Sequence, residues 1–152
     1  MLRHHEKRHL NFTPEQIFDL VADVKSYPEF LPWCLAARIH SQNSEQIHAD
    51  LVVGSGFIRE TFTSRVALNR PTQITVHYDK GPLAKMHNAW HFSRADDGGC
   101  IVEFTVEFEF KNRMFHIFVD RIFDEVVRRM VNGFEQRAKA IYPPNRPTKI
   151  QD

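Results

Sequence analysis

Cysteine is nearly absent from this chain, and Cys34 and Cys100 stand far apart with no second cysteine near either. No CxxC pair exists for redox chemistry or zinc, and a reduced protein of the cell interior is expected rather than a disulfide-stapled secreted one. No apolar run approaches the roughly 20 residues a membrane span requires. The start, Met1 to Arg8, is basic and histidine-containing without an apolar stretch, so a secretory signal is not expected. A charge surplus is missing too. The 20 Lys and Arg face 19 Asp and Glu, too even a balance for a strong field, and no DNA partner is expected.

Signatures of catalysis are equally scarce. Among nine histidines, His4, His5 and His9 lie near the terminus, expected to be flexible, and His87 and His91 stand four apart. No acidic residue or cysteine completes either set at a recognised spacing, so no metal site is expected. Glu107 with Glu109, and Asp96 with Asp97, fall on a strand face and in a turn, where solvation is the simpler reading; acid–base catalysis needs a dry cleft. Gly54-Ser55-Gly56 is neither a phosphate loop nor a nucleophile elbow. No enzyme is announced and no catalytic residue can be named.

What the chain has is phenylalanine, 13 residues of it against 2 Trp and 3 Tyr in a length of 152, the size of one domain. A single unit over 1–144 is expected, with 145–152 as a disordered tail. The organising stretch is Met114 to Tyr142. At helical spacing Phe115, Val119, Ile122, Val126, Met130, Phe134, Ala138 and Ile141 form one apolar stripe, widened by Phe118, Phe123, Val127 and Val131. Arg121, Arg128, Arg129 and Lys139, interleaved with acids, make a solvated far side, and Pro143-Pro144 forbids continuation. So wide an apolar face needs a sheet as partner.

The rest of the chain supplies one. His9 to Phe12 reads as a short edge strand, and Thr13-Pro14-Glu15-Gln16 as a capped helix start. The helix carries Ile17, Phe18, Leu20, Val21 and Val24 and ends at Pro28. The stretch 27–34, aromatic and framed by prolines, is either a rigid plug for one end of the core or part of a pocket mouth. Strands are expected at 37–41, 47–53, 58–68 and 74–78, with a bulge or bend at Gly54-Ser55-Gly56. Residues 79–88 read as an irregular segment. After Trp90 and Phe92 comes the turn 96–99. Val102, Phe104, Val106, Phe108 and Phe110 then alternate with polar residues, a strand with one wet side. The class is α+β, helices on one face of an antiparallel sheet. Between curved sheet and long helix an apolar cavity lined by Phe, Met, Trp and Leu can remain.

The run Tyr27-Pro28-Glu29-Phe30-Leu31-Pro32-Trp33-Cys34 resembles the signature of the Coq10 family of coenzyme Q-binding proteins, in the START/polyketide-cyclase superfamily. Further matches follow in order: the glycine-containing strand before Phe57 and Glu60; Ser64-Arg65-Val66; Gly81-Pro82-Leu83; Trp90 and Phe92; Cys100; and Phe134-Glu135-Gln136-Arg137. Together they span residues 3 to 143. The resemblance implies a helix-grip fold, a curved antiparallel sheet wrapped around the long C-terminal helix. It also implies binding of ubiquinone or a similar polyprenyl lipid as a ligand rather than a cofactor, and a carrier or chaperone role in respiratory electron transport without catalysis. A bacterial, cytoplasmic protein with peripheral contact to the inner membrane fits this. Bacterial members are also named ribosome-association toxins of the RatA type, so binding to the large ribosomal subunit is the alternative. A polyketide cyclase or aromatase activity is a third reading.

An isoprenoid tail gains about 0.8 kcal/mol per buried CH₂, against about 0.5–1.5 kcal/mol for a headgroup hydrogen bond. The site is therefore sought in apolar lining. Phe30, Leu31 and Trp33 are expected at the mouth, with Tyr78, Leu83, Met86 and Trp90 along the sheet. Phe104, Phe108, Phe115, Val119, Ile122 and Val126 would complete the wall. For each, ordinary core packing is the competing reading.

Overall fold

A computed structural model describes residues 1–55 and 58–143. Seven strands form one antiparallel sheet: β1 (Leu2–Leu10), β2 (Cys34–Gln42), β3 (Gln46–Ser55), β4 (Ile58–Asn69), β5 (Gln73–Lys80), β6 (Leu83–Arg94) and β7 (Cys100–Phe110). Their order across the sheet is β1-β7-β6-β5-β4-β3-β2, so only β1 leaves sequence order to pair with the last strand. Helix α1 (Pro14–Ala22) and a 3₁₀ segment (Val24–Glu29) intervene between β1 and β2, and α2 (Arg113–Ile141) closes the fold. The curved sheet and long C-terminal helix are the helix-grip arrangement expected. The expected tail, 145–152, and Gly56 of the expected bulge lie outside the described residues.

Local chemistry sets the helix ends. Thr13 Oγ1 accepts from the Gln16 amide at 3.1 Å while Gln16 Oε1 accepts from the Thr13 amide at 2.9 Å, a reciprocal cap with Pro14 in the first turn. Asn112 Oδ1 caps α2 by accepting from the Phe115 amide at 3.0 Å. The last turn of α2 closes on Tyr142, whose amide donates to Ala138, and Pro143 follows.

Three expectations change. The edge strand begins at Leu2, not His9, and its inner face carries His4, Glu6 and Arg8 between Leu2 and Leu10. Hydrophobic alternation is silent on such a strand; its partner is the backbone of β7. The histidines thought to sit on a flexible terminus are consequently held, His5 2.7 Å from Glu103 and His9 2.9 Å from Asp97. Residues 79–88 are not irregular: β5 runs to Lys80, a tight turn at Gly81 and Pro82 follows, and β6 starts at Leu83. Gly81 has φ +148°, and a Cβ there would meet Thr61 O at 2.8 Å.

The stripe on α2 is the third. Its buried members are Phe123, Val127, Phe134 and Ala138, whereas Ile122, Val126 and Ile141 are 40 %, 39 % and 45 % exposed. An apolar face wider than half the helix does not say which part of it meets the sheet. Packing chose the edge that faces β1, β7 and α1.

Candidate functional site

The inner face of the sheet is unevenly covered. Helices α1 and α2 lie over β1, β7, β6 and β5, where Ile74, Trp90, Phe92, Val102 and Phe104 are buried. Farther across, Ile47, Ala49 and Val66 are still buried. Leu51, Phe62, Val76, Tyr78, Met86, Val106, Phe108 and Phe110, many of them toward the end where β7 passes into α2, are only half-buried. An apolar groove thus opens beside the first half of α2.

The helix face that borders this groove can be read from one contact. Gly133 abuts Leu31 of the connector. Val126 and Val119 precede Gly133 by one and two heptads and share its side of the helix. Ile122 lies between them. That side, with Phe115, runs past the connector toward the half-covered strands, and it is the side left exposed at Ile122 and Val126.

The expected site residues therefore separate into groups. Phe30 and Leu31 belong to the closed end: Leu31 is 1 % exposed, and Phe30, Tyr27 and Phe134 pack edge to face at 5.3–5.9 Å between centroids. The Tyr27 hydroxyl donates to Val21 O, and burial pushes its pKa up. Of the two readings of 27–34, the plug therefore describes Tyr27 to Leu31. Trp33 stands at the groove end, its carbonyl accepting from the Gly54 amide at 2.9 Å. Its indole N–H is buried and has no acceptor among the described residues.

Trp90 and Phe104 line a small, partly open void of about 30 Å³ with Phe134, Val131, Glu6, Arg8 and Glu135. This space suits a water, not a ring. Phe108 begins an aromatic chain along the helix: it meets Phe123 at 5.2 Å and Phe110 at 5.3 Å, and Phe110 meets Phe115 at 4.7 Å. Met86 pairs across the sheet with Phe108, and Leu83 with Phe110. The Tyr78 hydroxyl accepts from the Leu83 amide at 2.9 Å, tying the β5–β6 turn to the same end. Phe115 also lines an open depression of about 370 Å³ with Ile58, Arg59, Glu60, Pro82 and Asn112.

A polar cluster beside the void was not legible in the sequence. Arg8 Nη1 lies 3.2 Å from both Asn132 and Glu135 of α2, its Nη2 pairs with Glu6, and His4 Nε2 lies 3.0 Å from Glu6. His4 itself sits between Phe104 and Phe123, at 6.4 and 6.5 Å. These charges fasten the edge strand to the helix and leave the groove beyond them apolar. Among the described residues, no group of His, Cys, Asp or Glu is arranged to hold a metal.

Sheet, clasping helix and apolar groove together define a START-like ligand-binding protein. The chain belongs to the polyketide cyclase/dehydrase and lipid transport family, which matches residues 10–135. It is 36% identical over 133 residues to the ribosome association toxin RatA of Vibrio cholerae serotype O1, covering 88% of this chain and 92% of that one. It is 33% identical over 145 residues to the mitochondrial coenzyme Q-binding protein COQ10 homolog B of Xenopus laevis, covering 93% of this chain and 59% of that longer one. Among solved structures, the Zhui aromatase/cyclase of Streptomyces sp. R1128 superposes with a TM-score of 0.79 at 14% identity, over 91% of this chain and 93% of that one. At that identity the likeness is one of fold.

Proposed function

We propose that the protein binds ubiquinone, or a similar polyprenyl lipid, in the groove beside the first half of α2. There it acts without catalysis, as a carrier or chaperone for respiratory electron transport. The observation that carries this reading is the apolar flank of Phe115, Val119, Ile122 and Val126, exposed at Ile122 and Val126 and half-buried at the other two, opposite half-buried inner-face residues. Leaving such side chains in water forgoes roughly 1.5–3 kcal/mol each when fully counted, and an isoprenoid tail would recover it. The acceptorless indole N–H of Trp33 offers a headgroup oxygen a donor. The resemblance to a coenzyme Q-binding protein supports the choice of ligand.

The test is mass spectrometry of an organic extract of the natively purified protein, followed by quinone titration monitored by tryptophan fluorescence. A co-purified quinone, and quenching that saturates, are expected. An empty extract together with unchanged fluorescence and melting temperature at saturating quinone would overturn the proposal.

A second reading is supported by the relatives named ribosome association toxins and by the exposed arginines Arg121, Arg128 and Arg129 on α2. Asp120, Asp124 and Glu125 interrupt them, and Arg129 pairs with Glu125 at 3.0 Å. Phosphate binding is best served by an unbroken basic patch. Polysome profiles after overexpression decide it: unchanged profiles remove this reading.

A further inference from the structure

The end of the molecule where β7 passes into α2 has properties that a ligand groove alone does not require. Met114, Ile117 and Phe118 are 81 %, 49 % and 51 % exposed. Met114 and Ile117 lie off the flank that borders the groove, and Phe118 stands at its border, stacked with Phe115 at 6.5 Å between centroids. Met1, just before β1, and Leu35, near the start of β2, are also exposed, on the two opposite edges of the sheet. The segment 110–119 reads Phe-Lys-Asn-Arg-Met-Phe-His-Ile-Phe-Val: six apolar residues, two permanent cations and no acid. Lys111 and Arg113 are exposed and form no ion pair among the described residues. The first turn of α2 carries no acidic residue, although the positive end of the helix dipole favours one. Arg113 and the dipole thus add to each other rather than cancel.

We infer that this end docks on an anionic lipid bilayer, with Met114, Ile117 and Phe118 entering the interface and Lys111 and Arg113 meeting the lipid phosphates. The inference rests on the lipid-carrier reading above and names the surface from which the lipid comes. Three observations select a bilayer over other occupants. Exposed apolar side chains with flanking cations and no acids are the composition of an interfacial anchor. A nucleic-acid surface would want cations in place of Met114, Ile117 and Phe118. The third is continuity: the depression lined by Ile58, Pro82 and Phe115, with Arg59 and Glu60 as lining residues of opposite charge, includes Asn112 of this patch. An isoprenoid chain could leave the bilayer and enter the groove there without crossing water.

Flotation of the full chain with quinone-free vesicles tests this. Vesicles of phosphatidylcholine mixed with phosphatidylglycerol are expected to carry the protein upward, and phosphatidylcholine alone far less. Lys111→Gln with Arg113→Gln should weaken binding to the anionic vesicles about thirtyfold, at about one unit of surface attraction per charge. Raising salt from about 0.1 M to about 1 M, which shortens the screening length from about 10 Å to about 3 Å, should act in the same direction. Met114→Ser with Ile117→Ser and Phe118→Ser should abolish flotation while leaving the melting curve and quinone uptake from detergent unchanged. No flotation by the parent chain, or flotation indifferent to both sets of substitutions, overturns the inference. So does sedimentation showing that the three-serine variant loses a dimer rather than vesicle binding, or ribosome retention lost by that variant without vesicle binding. Quinone uptake from detergent with no vesicle binding would sink the docking surface and leave the carrier reading standing.

Discussion

A Cβ placed on Gly133 of α2 would lie 2.9 Å from Leu31 Cδ2 in the connector. The glycine is the recess that lets the long helix close on a side chain only 1 % exposed. Gly133→Ala would gain about 1 kcal/mol in helix propensity but overpack this contact at a cost of about 1–3 kcal/mol. Urea unfolding is expected to show a net loss of about 1 kcal/mol. Leu31→Ala alone should cost about 2–5 kcal/mol, and the double variant should lose less than the sum. Strict additivity would show that the two residues do not share this space.

Arg8 is the clamp between edge strand and helix, with Glu6, Asn132 and Glu135 on one guanidinium. Its removal leaves Glu6 with His4 and Glu135 with Lys139 as their remaining partners, and breaks the link between strand and helix. Arg8→Ala is expected to lower stability by roughly 1–3 kcal/mol in urea unfolding, and Arg8→Lys to restore only part, because one ammonium cannot reproduce the fork. A neutral Arg8→Ala would reduce the cluster to surface decoration.

The outer face of the sheet should make stability fall in acid. Thr63, 4 % exposed, donates to Asp50 Oδ1 at 2.6 Å, and His40 lies 2.9 Å from the other oxygen. The Thr63 hydroxyl is the main influence holding the Asp50 carboxyl below its usual 3.8; burial opposes it, and His40 adds to it. A depressed folded value contributes stability that is present above the unfolded value and lost as pH falls through the folded one. Denaturant unfolding at a series of pH values should therefore show a decline below about pH 4, with a shallower slope in Asp50→Asn. An identical slope in the variant would assign the decline to other carboxylates.

Both thiols should be inert in the native protein. Burial pushes Cys100 up to about 12 and raises Cys34 as well, so almost no thiolate forms near neutral pH. Iodoacetamide at mildly alkaline pH is expected to label neither cysteine until denaturant is added, as mass spectrometry can record. Rapid native labelling at Cys34 would reveal opening of the connector.

The groove can be closed from its helix side. Val126 is 39 % exposed, so Val126→Trp has room to be accommodated without unfolding the chain. It should fill the space a lipid needs. Quinone retention is expected to drop about tenfold or more, an effect of about 1.4 kcal/mol, with little change in melting temperature. Unchanged retention would move the binding site off this flank.

The alternation of Phe104, Phe108 and Phe110 with polar residues, the Thr13-Pro14-Gln16 cap and the length of the last helix were legible along the chain. Each follows from local periodicity or from one turn of backbone hydrogen bonding. These features, with the aromatic run 27–34, were enough for the α+β class and the helix-grip resemblance. Three things were decided only in the folded molecule. Strand β1 is polar on its inner face, and it exists because β7 offers it a backbone edge and Arg8 finds Glu135 across 127 residues of sequence. The helix face that meets the sheet was set by the groove in which Phe123, Val127 and Phe134 interlock, since the apolar stripe was too wide to choose for itself. The division of the expected site residues, Leu31 into the core, Trp90 onto a small void, Ile122 and Val126 onto the open flank, follows from how far the helices reach across the sheet. Periodicity reports which residues avoid water; only packing reports which of them found cover.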